Sequence, residues 1–388
     1  MSEHLETNLQ GHIEGSLIRG GTSKGLFVHE HVLPPPGTVR DELVLELFGS
    51  PDPLQVDGIG GSHSHTSKLM IVAPSDRSGV DVDYTFGQVG VETAVIDWSG
   101  NCGNLTSAIG VFAIREGMVE TDTPETAVTL YNTNTDTRVE QTIPMEAGEP
   151  AIQGDYTVDG VPGTGARIDS KFLDPAGGVT GELFPTGQSI DVLEVDDEPI
   201  EVSMIDVANP NVFVRASDLG LSGIELPEAL ASNQALVQRV ERIRAHGCVA
   251  MGLVDDPATA TEERPGIPQI ALVSTPQAYE TSVGGTVEAD STDITARIFT
   301  TGTPHHAYAM TGAMCLGAAA RLPGTIPNEC AENGDTVTIG HPKGRITVGV
   351  EVEDSRVSSV TVARTARPLM DGRVYFRPIG KLAGWMDR

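Results

Sequence analysis

Two side chains suggest proton chemistry. Only five of the 25 basic residues are lysine, against 54 acidic residues, and one of the five is Lys68. It closes a Gly/Ser/His-rich loop and opens the apolar run Leu69–Val72. A lysine at the edge of a core strand usually just snorkels to water. In a chain that otherwise prefers arginine, a retained lysine points to the property arginine lacks: lysine can lose its proton when desolvated or placed near positive potential. A general base needs that property and a salt bridge does not. The second side chain is Cys102, flanked by Asn101, Gly103 and Asn104 and placed directly before a helical run. A thiol at a helix start is biased toward thiolate, the form that exchanges protons and attacks carbon. Lys24 carries a weaker version of the Lys68 argument. Cys248, Cys315 and Cys330 lack a comparable setting and read as structural, with Cys248 placed in a buried strand after Gly247.

Four stretches hold more Gly, Ser and Asn than a connecting turn requires. They are Arg19–Gly25 (RGGTSKG), Gly58–Lys68 (GIGGSHSHTSK), Gly100–Asn104 (GNCGN) and His305–Gly312 (HHAYAMTG). The last two precede helical runs. Glycine allows close backbone approach, and the free N–H groups of a helix start attract anions. Two such helix starts aimed at one point would suit a ligand with a carboxylate at each end. The pairs His63/His65 and His305/His306 could be read as metal ligands, but neither has a carboxylate or cysteine at ligand spacing. They fit the lining of a polar pocket better, and no metal is expected. RGGTSKG lacks Walker A spacing, no GxGxxG joins a strand to a helix, and neither GxSxG nor HExxH is present. Phosphate cofactors, serine-hydrolase chemistry and zincin chemistry are therefore not implied.

The elements that must position these groups are mostly strands. Alternating patterns occur at Gly79–Phe86, Thr126–Tyr131, Ile200–Met204, Asn211–Arg215, Asp335–Ile339, Arg345–Val352 and Ser358–Ala363, separated by Gly, Pro, Asn and Asp. Helices are expected at Asp41–Phe48 and at Leu226–Ala245, the latter entered through Pro227 and stopped by Gly247. Two shorter ones, Asn104–Glu116 and Thr311–Leu322, are apolar nearly all round and rich in small residues. A helix of that kind sits inside something, here a strand-rich shell. An offset of 205 superposes Thr106–Ala108 on Thr311–Ala313 and keeps the small/apolar pattern in register. That implies a duplicated domain, divided near Asp174–Gly187.

The formal charge of −29 repels phosphate backbones and anionic lipid, so neither nucleic acid nor a membrane is an expected partner. Acid excess with lysine depletion reads as adaptation to high salt, where screening over ~3 Å at 1 M mutes self-repulsion. The four cysteines form no CxxC pair, no run reaches the ~18 apolar residues of a membrane span, and the first ten residues are polar. A cytoplasmic protein is expected.

Assembled in order, the motifs resemble the PrpF family, which includes 2-methylaconitate cis–trans isomerases, 3-methylitaconate isomerases and 4-oxalomesaconate tautomerases and belongs to the diaminopimelate-epimerase-like superfamily. The resemblance is carried by RGGTSKG (Arg19–Gly25), TSK (Thr66–Lys68), GNCGNLTSAIGVFAI (Gly100–Ile114), ANPNVFV (Ala208–Val214), HHAYAMTGAMCLGAAARLPGT (His305–Thr325), HPKGRI (His341–Ile346) and RTARPLMDGRVYF (Arg364–Phe376). It implies an α+β fold of two pseudo-symmetric strand-rich domains, 1–185 and 186–388, each wrapped around one central helix, with the last residues returning to the first domain. It also implies catalysis without any cofactor, with Lys68 and Cys102 flanking the substrate. Arg19, Gly20, Gly21, Thr22, Ser23, Lys24, Ser67, Asn101, Gly103, Asn104, Asn209, His306, Thr311 and Gly312 are then the expected substrate-binding residues. The superfamily's two-thiol racemases carry a second cysteine before the second helix. The offset of 205 puts Ala307 there, so a two-cysteine racemase is disfavoured. The implied reaction is proton removal from a small unsaturated di- or tricarboxylate to give a dienolate, which is then reprotonated. Keto–enol tautomerisation of oxalomesaconate is the alternative, and a non-catalytic aconitate-binding protein is the alternative from another class. The expected partners are the polycarboxylate substrate and a second copy of the chain in a homodimer. His63 and His65 stand where the family is expected to have smaller residues.

Overall fold

The computed structural model describes residues 10–386 apart from 333, 335, 354, 355 and 379. The polar stretch 1–9 and the first residue of the strand expected from Asp335 lie outside the described residues.

Seven strands of the first half of the chain pair in a continuous run: Gly11–Gly20, Ser23–His29, Lys68–Pro74, Val82–Val89, Glu125–Asn132, Thr137–Glu146 and Ile168–Leu173. Seven strands of the second half do the same: Glu198–Val207, Asn209–Arg215, Gln269–Ser274, Ile294–Thr300, Thr336–His341, Gly344–Glu353 and Arg356–Arg364. In both runs the second and fourth junctions are parallel and the other four antiparallel. The internal repeat that is faint in sequence is therefore plain in strand order. The runs join where Ile168–Leu173 pairs with Arg356–Arg364. The chain then continues into Ala366–Phe376, which pairs with the opening strand Gly11–Gly20.

Each run encloses a buried helix. In the second half this is Met310–Arg321, buried at every position except Arg321. A Cβ on its Gly317 would lie 3.0 Å from Val348, so the absent side chain lets helix and strand approach. The first-half helix is broken, with Gly103–Thr106 and Ile109–Arg115 separated at Ser107–Ala108. The Ser107 hydroxyl donates to the Asn104 carbonyl at 2.6 Å, a local bond that competes with helix continuation.

Other helices cover the outer faces: Thr38–Phe48 on the first half, Pro227–Ser232 and Gln234–Ala250 on the second. The single helix expected at Leu226–Ala245 is thus two helices. Asn233 interrupts it and caps the second piece, its side chain accepting from the Leu236 N–H at 3.1 Å. Nor does Gly247 end that helix. It packs against the strand Asn209–Arg215, where a Cβ would lie 2.7 Å from Val212, and the helix runs on until Gly252 takes a φ of +72°. Cys248, expected in a strand, is a buried helix residue. Among the described residues no helix is long and apolar enough to cross a membrane.

Candidate active site

The starts of both central helices line one cleft between the halves, the first through Gly103 and Asn104 and the second through Met310 and Thr311. Strand register decides what else faces it. Lys68 is the first residue of its strand and lies directly opposite Gln88, which lies directly opposite Asp97. Directly paired residues share a face, so Lys68, Gln88 and Asp97 form a row, and all three line the cleft. The Lys68 ammonium donates to Gln88 Oε1 at 2.5 Å and sits 4.9 Å from the centre of the Phe86 ring. Gln88 Nε2 in turn donates to the carbonyls of Ser64 (2.9 Å) and Ser67 (3.1 Å).

Cys102 is the residue immediately before the first helix, buried, with Sγ 4.0 Å from Ser23 Oγ. A polar network beneath it fixes the turn. The Tyr84 hydroxyl accepts from Asn101 Nδ2 (3.2 Å) and Asn132 Nδ2 (3.1 Å) and bonds Thr106 Oγ1 (3.1 Å), while Thr106 Oγ1 donates to the Cys102 carbonyl (3.1 Å). Burial pushes the Tyr84 phenol up to about 12, so it stays protonated. The second half contributes Asn209, whose Nδ2 donates to Thr311 Oγ1 at 3.1 Å. Asn209 Oδ1 and Gln269 Oε1 are buried without a partner among the described residues.

Among the described residues that line the cleft, Lys68 and Asp97 are the only cationic and anionic side chains, histidines aside. Both cleft histidines are uncharged near neutral pH. Burial, with His63, Lys68, Lys343 and His306 nearby, lowers His65 to about 4. Burial, with His65 and Lys68 nearby, lowers His305 to about 3. His305 Nδ1 accepts from the Ala307 N–H at 3.0 Å, which leaves the ring proton on Nε2. A carboxylate entering the cleft thus meets the Lys68 side chain, two helix starts and a set of neutral donors, with Asp97 as the one like charge in the lining and its Oδ1 already engaged by Ser99. Arg364 sits behind them, buried, its Nε donating to Asn104 Oδ1 at 3.2 Å, with its pKa lowered by burial to about 10.

Of the residues singled out from sequence, Lys68, Cys102, Ser23, Asn101, Gly103, Asn104, Asn209 and Thr311 line the cleft. The others lie outside its lining, each for a visible reason. Arg19 turns away to bond the carbonyls of Gly21 (3.0 Å) and Thr365 (2.8 Å) and clamps the RGGTSKG turn. Gly20 and Gly21 let that turn lie against the helix start, since a Cβ on either would come within 2.4 Å of an Asn104 oxygen. Thr22 N–H donates to Asn104 Oδ1 at 3.3 Å and faces a neighbouring cavity with Arg364. Lys24 alternates away from Ser23 along its strand. Ser67 is buried and donates to Gln55 Oε1 at 2.6 Å, anchoring the loop that carries the histidines. His306 is exposed, edge-on to His63 at 6.5 Å, and Gly312 packs under Gln269. Sequence reasoning missed Gln88, Asp97, Gln269 and Thr300 and picked His306 over its neighbour His305. The missed residues are polar positions at strand ends, whose common facing follows only from register. Among the described residues no group of three or more His, Cys, Asp or Glu is placed to hold a metal ion.

The family model described as "PrpF protein" matches residues 10–377. This chain belongs to the PrpF family. A PrpF-family relative named 3-methylitaconate isomerase, from Eubacterium barkeri, is 42% identical over 363 residues, covering 92% of this chain and 96% of the relative. A 2-methyl-aconitate isomerase from Shewanella oneidensis is 39% identical over 382 residues, covering 93% and 96%. The crystal structure of a methylitaconate-delta-isomerase, 42% identical, has a TM-score of 0.81 and covers 96% of this chain and 97% of its own. A hydroxyproline epimerase from Agrobacterium vitis, 13% identical, has a TM-score of 0.57 over 94% of this chain and 93% of its own, which speaks for the fold alone. The PrpF-family fold here is thus α+β and epimerase-like, as the motifs imply.

Proposed function

We propose that this PrpF-family isomerase moves a proton within a small unsaturated di- or tricarboxylate of the methylitaconate or methylaconitate type. The observation that carries this reading is the placement of Lys68 and Cys102 in one cleft entered by both central helix starts. Lys68 removes a proton from the carbon activated by a carboxylate and the adjacent double bond. The electron pair spreads over a dienolate, whose growing oxygen charge faces the backbone N–H groups at Gly103–Asn104 and Met310–Thr311. Fixed dipoles of this kind stabilise charge that develops during reaction. Proton return to the far carbon of the allylic system shifts the double bond. Rotation followed by return to the original carbon exchanges cis for trans. Cys102, beside Ser23, is the group placed to return or share that proton. The second half, through Asn209, Gln269 and His305, holds the substrate.

The chain's own residues carry the chemistry, so dialysis against a metal chelator leaves turnover unchanged. The test is ultraviolet assay of 3-methylitaconate and 2-methylaconitate with the purified chain. Interconversion of at least one is expected. Inertness toward both, with turnover of an oxo-dicarboxylate instead, would overturn the substrate assignment.

A further inference from the structure

Lysine bases in acidic proteins face a particular hazard: a neighbouring carboxylate locks the ammonium in its charged form. This chain carries 54 acidic residues, and one of them, Asp97, lies in the same cross-strand row as Lys68. What separates them is Gln88. We propose that Gln88 is a positioning residue for the reaction: it aims the Lys68 amine into the cleft with a neutral acceptor and keeps Asp97 from pairing with it. This rests on the reading of Lys68 as the base.

Three observations carry the proposal. The Gln88 amide is oriented, because Nε2 donates to two carbonyls, Ser64 and Ser67, and Oε1 is thereby turned to Lys68 at 2.5 Å. The same two bonds tie Gln88 to the loop that carries His65, so amine and loop are held by one side chain. Among the described residues the Lys68 ammonium bonds Gln88 rather than a carboxylate, and Asp97 Oδ1 is engaged by the Ser99 N–H (2.8 Å) and hydroxyl (2.5 Å) instead. The second half supplies an internal control. By strand order Gln269 stands where Lys68 stands and lies at the start of the strand whose neighbour carries Thr300 in place of Gln88. With no amine to hold, the oriented glutamine is gone, and Gln269 Oε1 is left buried without a partner among the described residues.

A neutral acceptor matters because it can bond the ammonium without a full opposing charge. Glutamate at the same place would keep the length and replace that acceptor by an anion. Gln88→Glu and the similarly shaped but uncharged Gln88→Met therefore separate charge from packing. Two readouts are taken on the full-length protein. The first is the pH dependence of Lys68 acylation by acetic anhydride, followed by peptide mass spectrometry, which does not require turnover. The second is the pH profile of kcat and KM with 3-methylitaconate.

In Gln88→Glu the acylation midpoint and the acid limb of kcat both move up by about one pH unit or more. Turnover at neutral pH falls at least about tenfold and recovers as pH rises. In Gln88→Met the rate falls through lost aim, and the midpoint stays within a few tenths of a unit of wild type. Equal midpoints in wild type and Gln88→Glu would overturn the proposal, as would an equal shift in both variants, which would mark Gln88 as structural only. Full turnover in Lys68→Ala would instead sink the base assignment while leaving the acylation result standing, so the two failures are distinguishable.

Discussion

The two halves of the molecule share a frame and differ in what they place on it. Seven strands pair in the same order and sense in each, around one buried helix. At matching places the first half has Lys68, Gln88, Ser23 and the helix-preceding Cys102, and the second has Gln269, Thr300, Asn209 and Ala309. Every titratable group of the first set is neutral in the second. The residue before the second helix is Ala309, two places beyond the Ala307 that the sequence offset selects, because the first helix starts earlier and breaks. Neither position is a cysteine, so the absence of a second thiol holds. The repeated strand order sets where side chains meet the cleft, and under the proposed function the residue types divide the labour: proton transfer on one side, binding on the other.

That division can be broken in order of expected effect. Lys68→Ala lowers kcat by about 10²–10⁴, the usual contribution of a positioned base, and a steady-state assay at saturating substrate checks it. Cys102→Ala lowers kcat by about 10² with a smaller change in KM, since the thiol lies against Ser23 rather than in a charge pair. Gln269→Ala and Asn209→Ala raise KM about tenfold, the loss of roughly one hydrogen bond of about 1.4 kcal/mol, and leave kcat within about threefold. A second-half variant that instead loses kcat at constant KM contradicts the division.

Histidines give a smaller effect. His65, His305 and His341 are held neutral down to about 4, 3 and 3, chiefly by burial. The unfolded chain protonates them near ~6.5. The unfolded state then binds more protons, so their stability contribution is complete above ~6.5 and is lost as pH falls toward 3. Urea midpoints measured across that range should fall with pH, and His305→Gln should flatten the fall. The smallest effect expected is of salt. With a charge of −29 and one ammonium in the cleft, KM for an anionic substrate should fall from low to molar salt as screening mutes repulsion. A flat profile would argue against adaptation to high salt.

Much of the frame could be read from sequence. Alternating residues mark most of the strands named from sequence, and the two small-residue helices stand out because burial on all sides leaves no polar face. The broken helices could not be read, since Ser107 and Asn233 act through local hydrogen bonds rather than through periodicity. Within the cleft, Lys68 and Cys102 are visible because their types are unusual for their settings. Gln88, Asp97, Gln269 and Thr300 are ordinary polar residues in sequence, and only cross-strand pairing turns them toward one point. RGGTSKG illustrates the opposite limit: its richness marks a turn packed on a helix start, of which only Ser23 reaches the cleft.

The most direct test of one-sided proton transfer is solvent exchange in deuterium oxide. Wild type, Lys68→Ala and Gln269→Ala are incubated with saturating 3-methylitaconate, and deuterium in the recovered acid is counted by mass spectrometry. Deuterium is expected to enter with wild type and Gln269→Ala at comparable rates and to be lost with Lys68→Ala. Exchange that survives in Lys68→Ala, or vanishes in Gln269→Ala, would contradict the assignment of proton transfer to the first half.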